Sequence, residues 1–315
     1  MFKKVLLLLL LGLCTITALV IIRYNPAGQT VEKTIICNSL KRSYFLHVPP
    51  SLQKDKPIPM VFVFHGAEGD GTVIEQLTKF SNLADREGFI AVYPNGYWKN
   101  FNDGREPFVS RAHRENIDDV AFVATLIEKI SSEFPIDKQR IFATGFSNGA
   151  IFSHYLAAHL SGIIAAIAPV DGGIAELFQD KFKPEKAVSV LIIQGSEDPW
   201  MPFRGGGIIE GKFGHIIDTH KAAQLWIKHN GCAGELRTGA LPDTDTSDGC
   251  SVKWYSWRNC RQGTEVMLYA IEGGGHTWPN TIQYLPVKDI GRMSRDFDAT
   301  KLIWEFFKKH PKALC

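Results

Sequence analysis

The sequence predicts an α/β fold, a mostly parallel sheet with helices on both faces. Three observations carry that expectation. Apolar runs of strand length alternate with helix-patterned segments along the chain. Several of these runs, such as Pro57 to Phe64, are nearly unbroken, as strands buried on both faces are. One of them, Ile141 to Ala143, leads into Gly145-Phe146-Ser147-Asn148-Gly149, and a helix pattern follows at once to about Leu160. Strand, G-x-S-x-G and helix together make the context of a nucleophile elbow. In such a turn the serine backbone is strained and its hydroxyl stands above the sheet. Gly145 and Gly149 lie where a Cβ would collide with the returning chain. The helix N-terminus and the N–H of Asn148 point at negative charge developing beside Ser147. Alone, the pentapeptide would be no more than a glycine-punctuated turn containing a serine.

Composition narrows the class. Apolar content is 45%, charge 22% and net charge only +2, as in an ordinary globular protein. The charges form no basic stripe with stacking aromatics, so no nucleic-acid partner is expected. No internal repeat or low-complexity linker interrupts the chain. One catalytic domain over residues 29–315 is expected after a targeting segment in residues 1–28. There, Met1-Phe-Lys-Lys4 is a basic flank and Val5 to Ile22 an apolar run. The pattern fits a cleaved export signal or, alternatively, an N-terminal membrane anchor through residues 5–22. Ala18 is a candidate cleavage residue, and Cys14 fits a lipid-attachment box badly. The rest is expected to be exported, secreted or periplasmic. Export permits disulfides, but Cys37, Cys232, Cys250, Cys260 and Cys315 are odd in number. None of their spacings is a metal pattern. At least one bridge is expected where Cys232, Cys250 and Cys260 crowd together.

In chain order, Thr34–Cys37 and Arg42–Val48 read as strands, and Pro57–Phe64 as a buried one entering His65-Gly66-Ala67. Backbone there can supply a second oxyanion donor, while His65 reads as a hydrogen-bonded scaffold residue. Val73 to Glu87 reads as one amphipathic helix and Phe89–Tyr93 as another buried strand. An aromatic- and arginine-rich loop, Tyr97 to Glu115, suits either a binding surface or anchoring. Asp118-Asp119 reads as the acidic start of a helix to Phe134, although the pair could pass for two catalytic carboxylates. Ile163 to Val170 is a strand ending in Asp171-Gly-Gly173. Val188 to Gln194 is the next, delivering Gly195-Ser-Glu197-Asp198. Arg204 to Gly207 reads as a flexible loop and His220 to His229 as a helix. His154 and His159, like His215 and His220, are five apart, the wrong spacing for two ligands on one helical face. Glu265 to Ile271 is a strand running into Glu272-Gly-Gly-Gly-His276, and a last helix spans about Ser294 to His310.

Strand ends thus present Ser147, Asp198 and His276 in that order, which is the order of the α/β-hydrolases. The matching stretches extend further. They include Arg42-Ser-Tyr44, His47-Val-Pro49, Phe64-His-Gly66, Asn116-Ile-Asp-Asp-Val120 and Ile136-Asp137. Ala143 to Gly149, Gln194 to Pro199, Asn230-Gly-Cys232 and Gly274 to Pro279 complete the set. On these the chain resembles the exported polyhydroxybutyrate-depolymerase and feruloyl-esterase family, in its LpqC-like branch. The resemblance implies a Ser147, Asp198 and His276 triad and an oxyanion hole from the N–H groups of Ala67 and Asn148. It also implies a Cys232–Cys260 bridge. Family members commonly carry Gly-Gly where this chain has Gly149-Ala150, a harmless change. Cys37, Cys250 and Cys315 have no place in the resemblance.

The chemistry expected is ester hydrolysis through an acyl-enzyme, with no metal or cofactor called for. The expected partner is a small ester or oligoester. Short acyl or hydroxyacyl (polyhydroxybutyrate-type) esters lead, with feruloyl or acetylxylan esters of plant polysaccharides as the alternative. The sequence shows no Pro-, Ser- or Thr-rich linker to a binding module after its last helix, so a soluble substrate is expected. Trp98, Trp200 and Trp278, with Phe203, are candidates for contacting an apolar or ring-bearing acyl group. A peptidase and a non-catalytic binding module are the competing readings, the second disfavoured because all three triad residues are present.

Overall fold

The computed structural model describes residues 28–53 and 55–313; the export or anchor segment, Cys14 and Cys315 lie outside them. The described strands are β1 (Thr30–Cys37), β2 (Leu40–His47), β3 (Ile58–Phe64), β4 (Ile90–Pro94), β5 (Ile136–Phe146) and β6 (Ala166–Val170). They continue as β7 (Ser189–Gly195), β8 (Gly206–Gly207), β9 (His215–Ile216), β10 (Arg237–Ala240), β11 (Ser251–Trp257) and β12 (Val266–Glu272). One ten-stranded sheet runs in the order β1-β2-β4-β3-β5-β6-β7-β12-β11-β10. The strands from β4 to β12 in this order are parallel, and an antiparallel pair extends the sheet at each side. Because β5, β7 and β12 run the same way, the loops leaving their carboxyl ends share one edge of the sheet. Open α/β sheets bind ligands at that edge.

Every residue of β3 is buried, and its period of two deals side chains to two layers. Met60, Phe62 and Phe64 join Phe122, Phe152 and Trp226 on one face. Val61 and Val63 join Phe80, Trp304 and Phe307 on the other. The first layer is covered by helices Asp119–Glu133, Asn148–His159 and Thr219–Asn230, the second by Gly71–Thr78, Phe80–Glu87 and Ala299–Lys309. Each large apolar side chain so buried contributes about 1.5–3 kcal/mol. Four of these helices open on an aspartate whose side chain accepts a first-turn N–H. Asp70 takes Val73, Asp118 Ala121, Asp218 Lys221 and Asp298 Lys301, at 2.8–3.0 Å. Such caps are each worth about 1 kcal/mol.

The structure departs from the sequence reading at several points, and the last helix begins at Ala299, not near Ser294. The segment from Val73 to Glu87 is two helices, broken at Lys79, whose φ is 57°. The Thr300 hydroxyl donates to the Thr78 carbonyl at 2.6 Å, satisfying the carbonyl at the break. Asp118 caps its helix, but Asp119 is buried and paired with Arg42 at 2.6 Å, and it also accepts the N–H of Asn102. Arg204 to Gly207 is no free loop, since Gly206–Gly207 pairs with His215–Ile216. Strands β10 and β11 had no counterpart in the sequence reading: β10 is mostly exposed, and in β11 only Val252 and Ser256 are buried, so neither gives an unbroken apolar run.

A disulfide joins Cys232 to Cys260, tying the end of helix Thr219–Asn230 to the turn before β12. Closing a loop of that length contributes about 3–4 kcal/mol in the chain-entropy picture. Among the described residues, Cys37 and Cys250 are buried free thiols.

Glu265, just before β12, gathers Ser256, Arg258 and His310 around its carboxylate. Burial alone would raise its pKa, but these partners pull it from 4.5 down to about 2. A depressed carboxylate contributes stability that is fully present above the unfolded value and lost as pH falls through the folded one. The thermal-stability gap between the parent and Glu265→Gln should therefore be constant above pH 4.5 and shrink as pH falls toward about 2. Melting curves across that range check it, and a gap that widened on acidification would contradict the assignment.

Candidate active site

Ser147 follows β5 and caps helix Asn148–His159 with φ 59° and ψ −119°, a conformation held only where the surroundings enforce it. The enclosing turn explains both glycines. A Cβ on Gly145 would lie 2.5 Å from the Gly149 carbonyl oxygen, and one on Gly149 would lie 2.3 Å from that of Phe64. The N–H of Asn148 belongs to the first helical turn, whose donors have no acceptor within the helix. The Asn148 side chain locks this corner to the loop after β4. It accepts the N–H of Phe101 at 2.9 Å and donates to the Phe101 carbonyl and to Asp103 Oδ2, at 3.0 and 2.6 Å. Burial opposes ionisation of Asp103, but Arg105 and His113 together hold its carboxyl well below the usual range.

Asp198 follows β7, and its carboxylate is pinned by the N–H groups of Trp200 and Met201, both at 2.8 Å from Oδ1. Oδ2 lies 2.7 Å from Nδ1 of His276, which follows β12. A carboxylate only accepts, so Nδ1 carries the proton and Nε2 of the neutral ring is left as a base. The His276 backbone donates to Ile290 and accepts the Tyr284 hydroxyl at 2.9 Å. Its ring packs against Phe146 and Trp200, with centroids 4.6 and 5.1 Å away. Ser147 and His276 line one cavity of about 270 Å³ with Gly66 and Ala67. Among the described residues no hydrogen bond joins the serine hydroxyl to the ring; such contacts commonly tighten when substrate binds.

The remaining wall is apolar: Val73, Ile74 and Leu77 from helix Gly71–Thr78, with Phe146, Trp200, Ile282 and Tyr284. Of the three candidate tryptophans, only Trp200 reaches it. Trp98 is exposed, with the Arg111 guanidinium 4.5 Å from its ring centre. Trp278 is fully buried behind Phe146 and donates to Thr300; its ring serves the core. Phe203 packs edge-on to His220. The sequence reading missed Val73, Ile74, Leu77, Ile282 and Tyr284 as wall residues. An apolar helix stripe looks the same whether it faces core or cavity, and Tyr284 lies outside any regular element.

His65 also borders the cavity, yet both ring nitrogens are engaged. Nδ1 donates to the Gly66 carbonyl at 2.7 Å and Nε2 accepts the N–H of Gly96 at 2.9 Å. Burial lowers its pKa to about 4, so the neutral ring acts as a clip for the Gly66-Ala67 turn. Asp171, Asp198 and His276 approach closely enough to suggest a metal set. Their facing atoms already hold one another or backbone N–H groups, so a cation would have to displace those bonds.

The family Esterase PHB depolymerase matches residues 42–199. The chain is 29% identical to feruloyl esterase B of Piromyces equi over 245 residues, 75% of this chain but 42% of that protein. It is 24% identical to feruloyl esterase D of Neurospora crassa over 302 residues, 90% of this chain and 86% of that one. An acetyl xylan esterase from Aspergillus awamori superposes with a TM-score of 0.59 at 14% identity, covering 89% of this chain and 99% of its own. The fold is the α/β-hydrolase fold that the sequence predicts.

Proposed function

The chain belongs to the esterase PHB depolymerase family and is a serine ester hydrolase, and on that premise we propose that Ser147, His276 and Asp198 carry its chemistry. The observation behind this is the Asp198–His276 hydrogen bond, which aims the free imidazole nitrogen at the cavity that Ser147 lines. His276 takes the Ser147 proton as the oxygen attacks the ester carbonyl. Asp198 holds the tautomer and stabilises the imidazolium. The N–H groups of Asn148 and Ala67 receive the oxyanion, each for about 3–4 kcal/mol. The imidazolium then protonates the leaving alcohol, and water repeats the cycle on the acyl-enzyme.

The substrate in this reading is a soluble ester with a short acyl or hydroxyacyl group, accommodated by the apolar wall. Feruloyl esters are the second reading, supported by the ring-bearing wall of Phe146, Trp200 and Tyr284 and by the relatives named as feruloyl esterases. We also place the protein in an oxidising, exported compartment, on the strength of its disulfide. Among the described residues no helix is long and apolar enough to cross a membrane.

The test compares kcat/KM on p-nitrophenyl butyrate, a 3-hydroxybutyrate oligomer and methyl ferulate, with a polyhydroxybutyrate suspension alongside. Highest values on the first two support the reading, and preference for methyl ferulate transfers it to the second. Rapid clearing of the solid polymer overturns the soluble substrate. Activity confined to peptide amides overturns the esterase chemistry.

A further inference from the structure

Asp171 follows β6, is 1% exposed and adopts a φ of 49°. Its Oδ1 accepts the N–H of Gly195 at 2.9 Å, and its Oδ2 that of Thr277 at 2.8 Å. Gly195 closes β7 just ahead of Asp198, and Thr277 is the neighbour of His276. The preceding residue, Val170, accepts the N–H of Ser147 at 3.1 Å. One short turn therefore touches all three loops that carry the proposed triad.

We propose that Asp171 is a positioning residue, its two carboxyl oxygens fixing the Asp198 loop and the His276 loop against each other and against the elbow. The proposal rests on the triad assignment above. Without this carboxyl, two backbone N–H groups would lose their acceptors and turn toward others, and the Asp198–His276 bond would lose its alignment. Burial, and after it the Asp198 carboxylate, raises the Asp171 acid well above the usual carboxylate range. The titratable groups beside it are Asp198, His276 and Tyr284. Burial and the two carboxyls push the Tyr284 phenol up as well, so it stays neutral. The role proposed for Asp171 is geometric: it holds the two loops and does not act on the imidazole as a charge.

The experiment uses Asp171→Asn, which preserves shape and one acceptor, and Asp171→Ala. Each is compared with the parent for kcat per serine titrated by a fluorophosphonate, for KM, and for the acid limb of kcat/KM on p-nitrophenyl acetate. Titration confines the comparison to folded sites, so lost stability alone does not change the result. Expected is a fall in kcat per site of about tenfold for Asn and about a hundredfold for Ala, with KM within about threefold and the acid limb unmoved. A kcat per site within twofold of the parent for both variants overturns the proposal. So does an acid limb displaced downward in Asp171→Asn, which would mean that Asp171 acts as a charge. If parent Ser147 takes no adduct, the triad reading fails and this proposal falls with it. If the parent is labelled and the variants keep full turnover, only the role of Asp171 falls.

Discussion

Ser147→Ala is expected to lower turnover of p-nitrophenyl acetate by up to about a million-fold, the scale at which a triad nucleophile acts as one unit with its base. The residue left behind keeps a Cβ, so the φ of 59° costs it no more than it costs serine. The turn is held by the Gly145, Gly149 and Phe64 backbone, not by the hydroxyl. Thermal stability should therefore change little, and the loss should lie in kcat. A small residue of catalysis should persist, because binding and the two oxyanion N–H groups survive. Turnover within tenfold of the parent in a folded variant would remove Ser147 from the mechanism.

Asp198→Asn should cost about 10⁴ in kcat, because an amide can donate to the imidazole and so favour the wrong tautomer. The Trp200 and Met201 N–H groups can still find an oxygen in the variant, so the loop should stay in place. Glu197 provides the internal control. Its carboxylate is exposed and faces Arg292 at 3.8 Å, so Glu197→Gln should leave kcat within about twofold, as surface changes do. Asp118→Asn should cost at most about 1 kcal/mol of stability through its helix cap and leave kcat alone. Steady-state kinetics on the three variants decide the matter; a large defect in Glu197→Gln with an active Asp198→Asn would show that the wrong carboxylate was chosen.

Much of this arrangement was legible in the sequence, for identifiable physical reasons. The central strands are buried on both faces, so their apolar runs stand out, and the polar groups at their ends mark where the sheet stops. Ser147, Asp198 and His276 each follow such a run. His65 could be read as scaffold because a histidine at a buried strand's end needs partners more than it needs a proton. Strand β10, at the sheet's edge, and β11 beside it were illegible because neither carries the unbroken buried apolar run of the central strands. The break at Lys79 depends on a hydroxyl from Thr300, more than two hundred residues away, which no local pattern encodes. Trp200 and Trp278 each stand two residues after a proposed triad member, yet face cavity and core respectively. Trp278 packs edge-on against Phe146 while Trp200 packs against the His276 ring, a difference that no local pattern encodes. Asp171 was visible as a strand-end carboxylate, but its two backbone partners come from other loops.

The most direct test of the account is to label the intact protein with a fluorophosphonate and map the modified peptide by mass spectrometry, beside His276→Ala. The account predicts one adduct, on Ser147, formed rapidly in the parent and slowed at least a thousandfold without the base. An adduct on a different serine, or labelling of Ser147 that proceeds equally fast without His276, would contradict it.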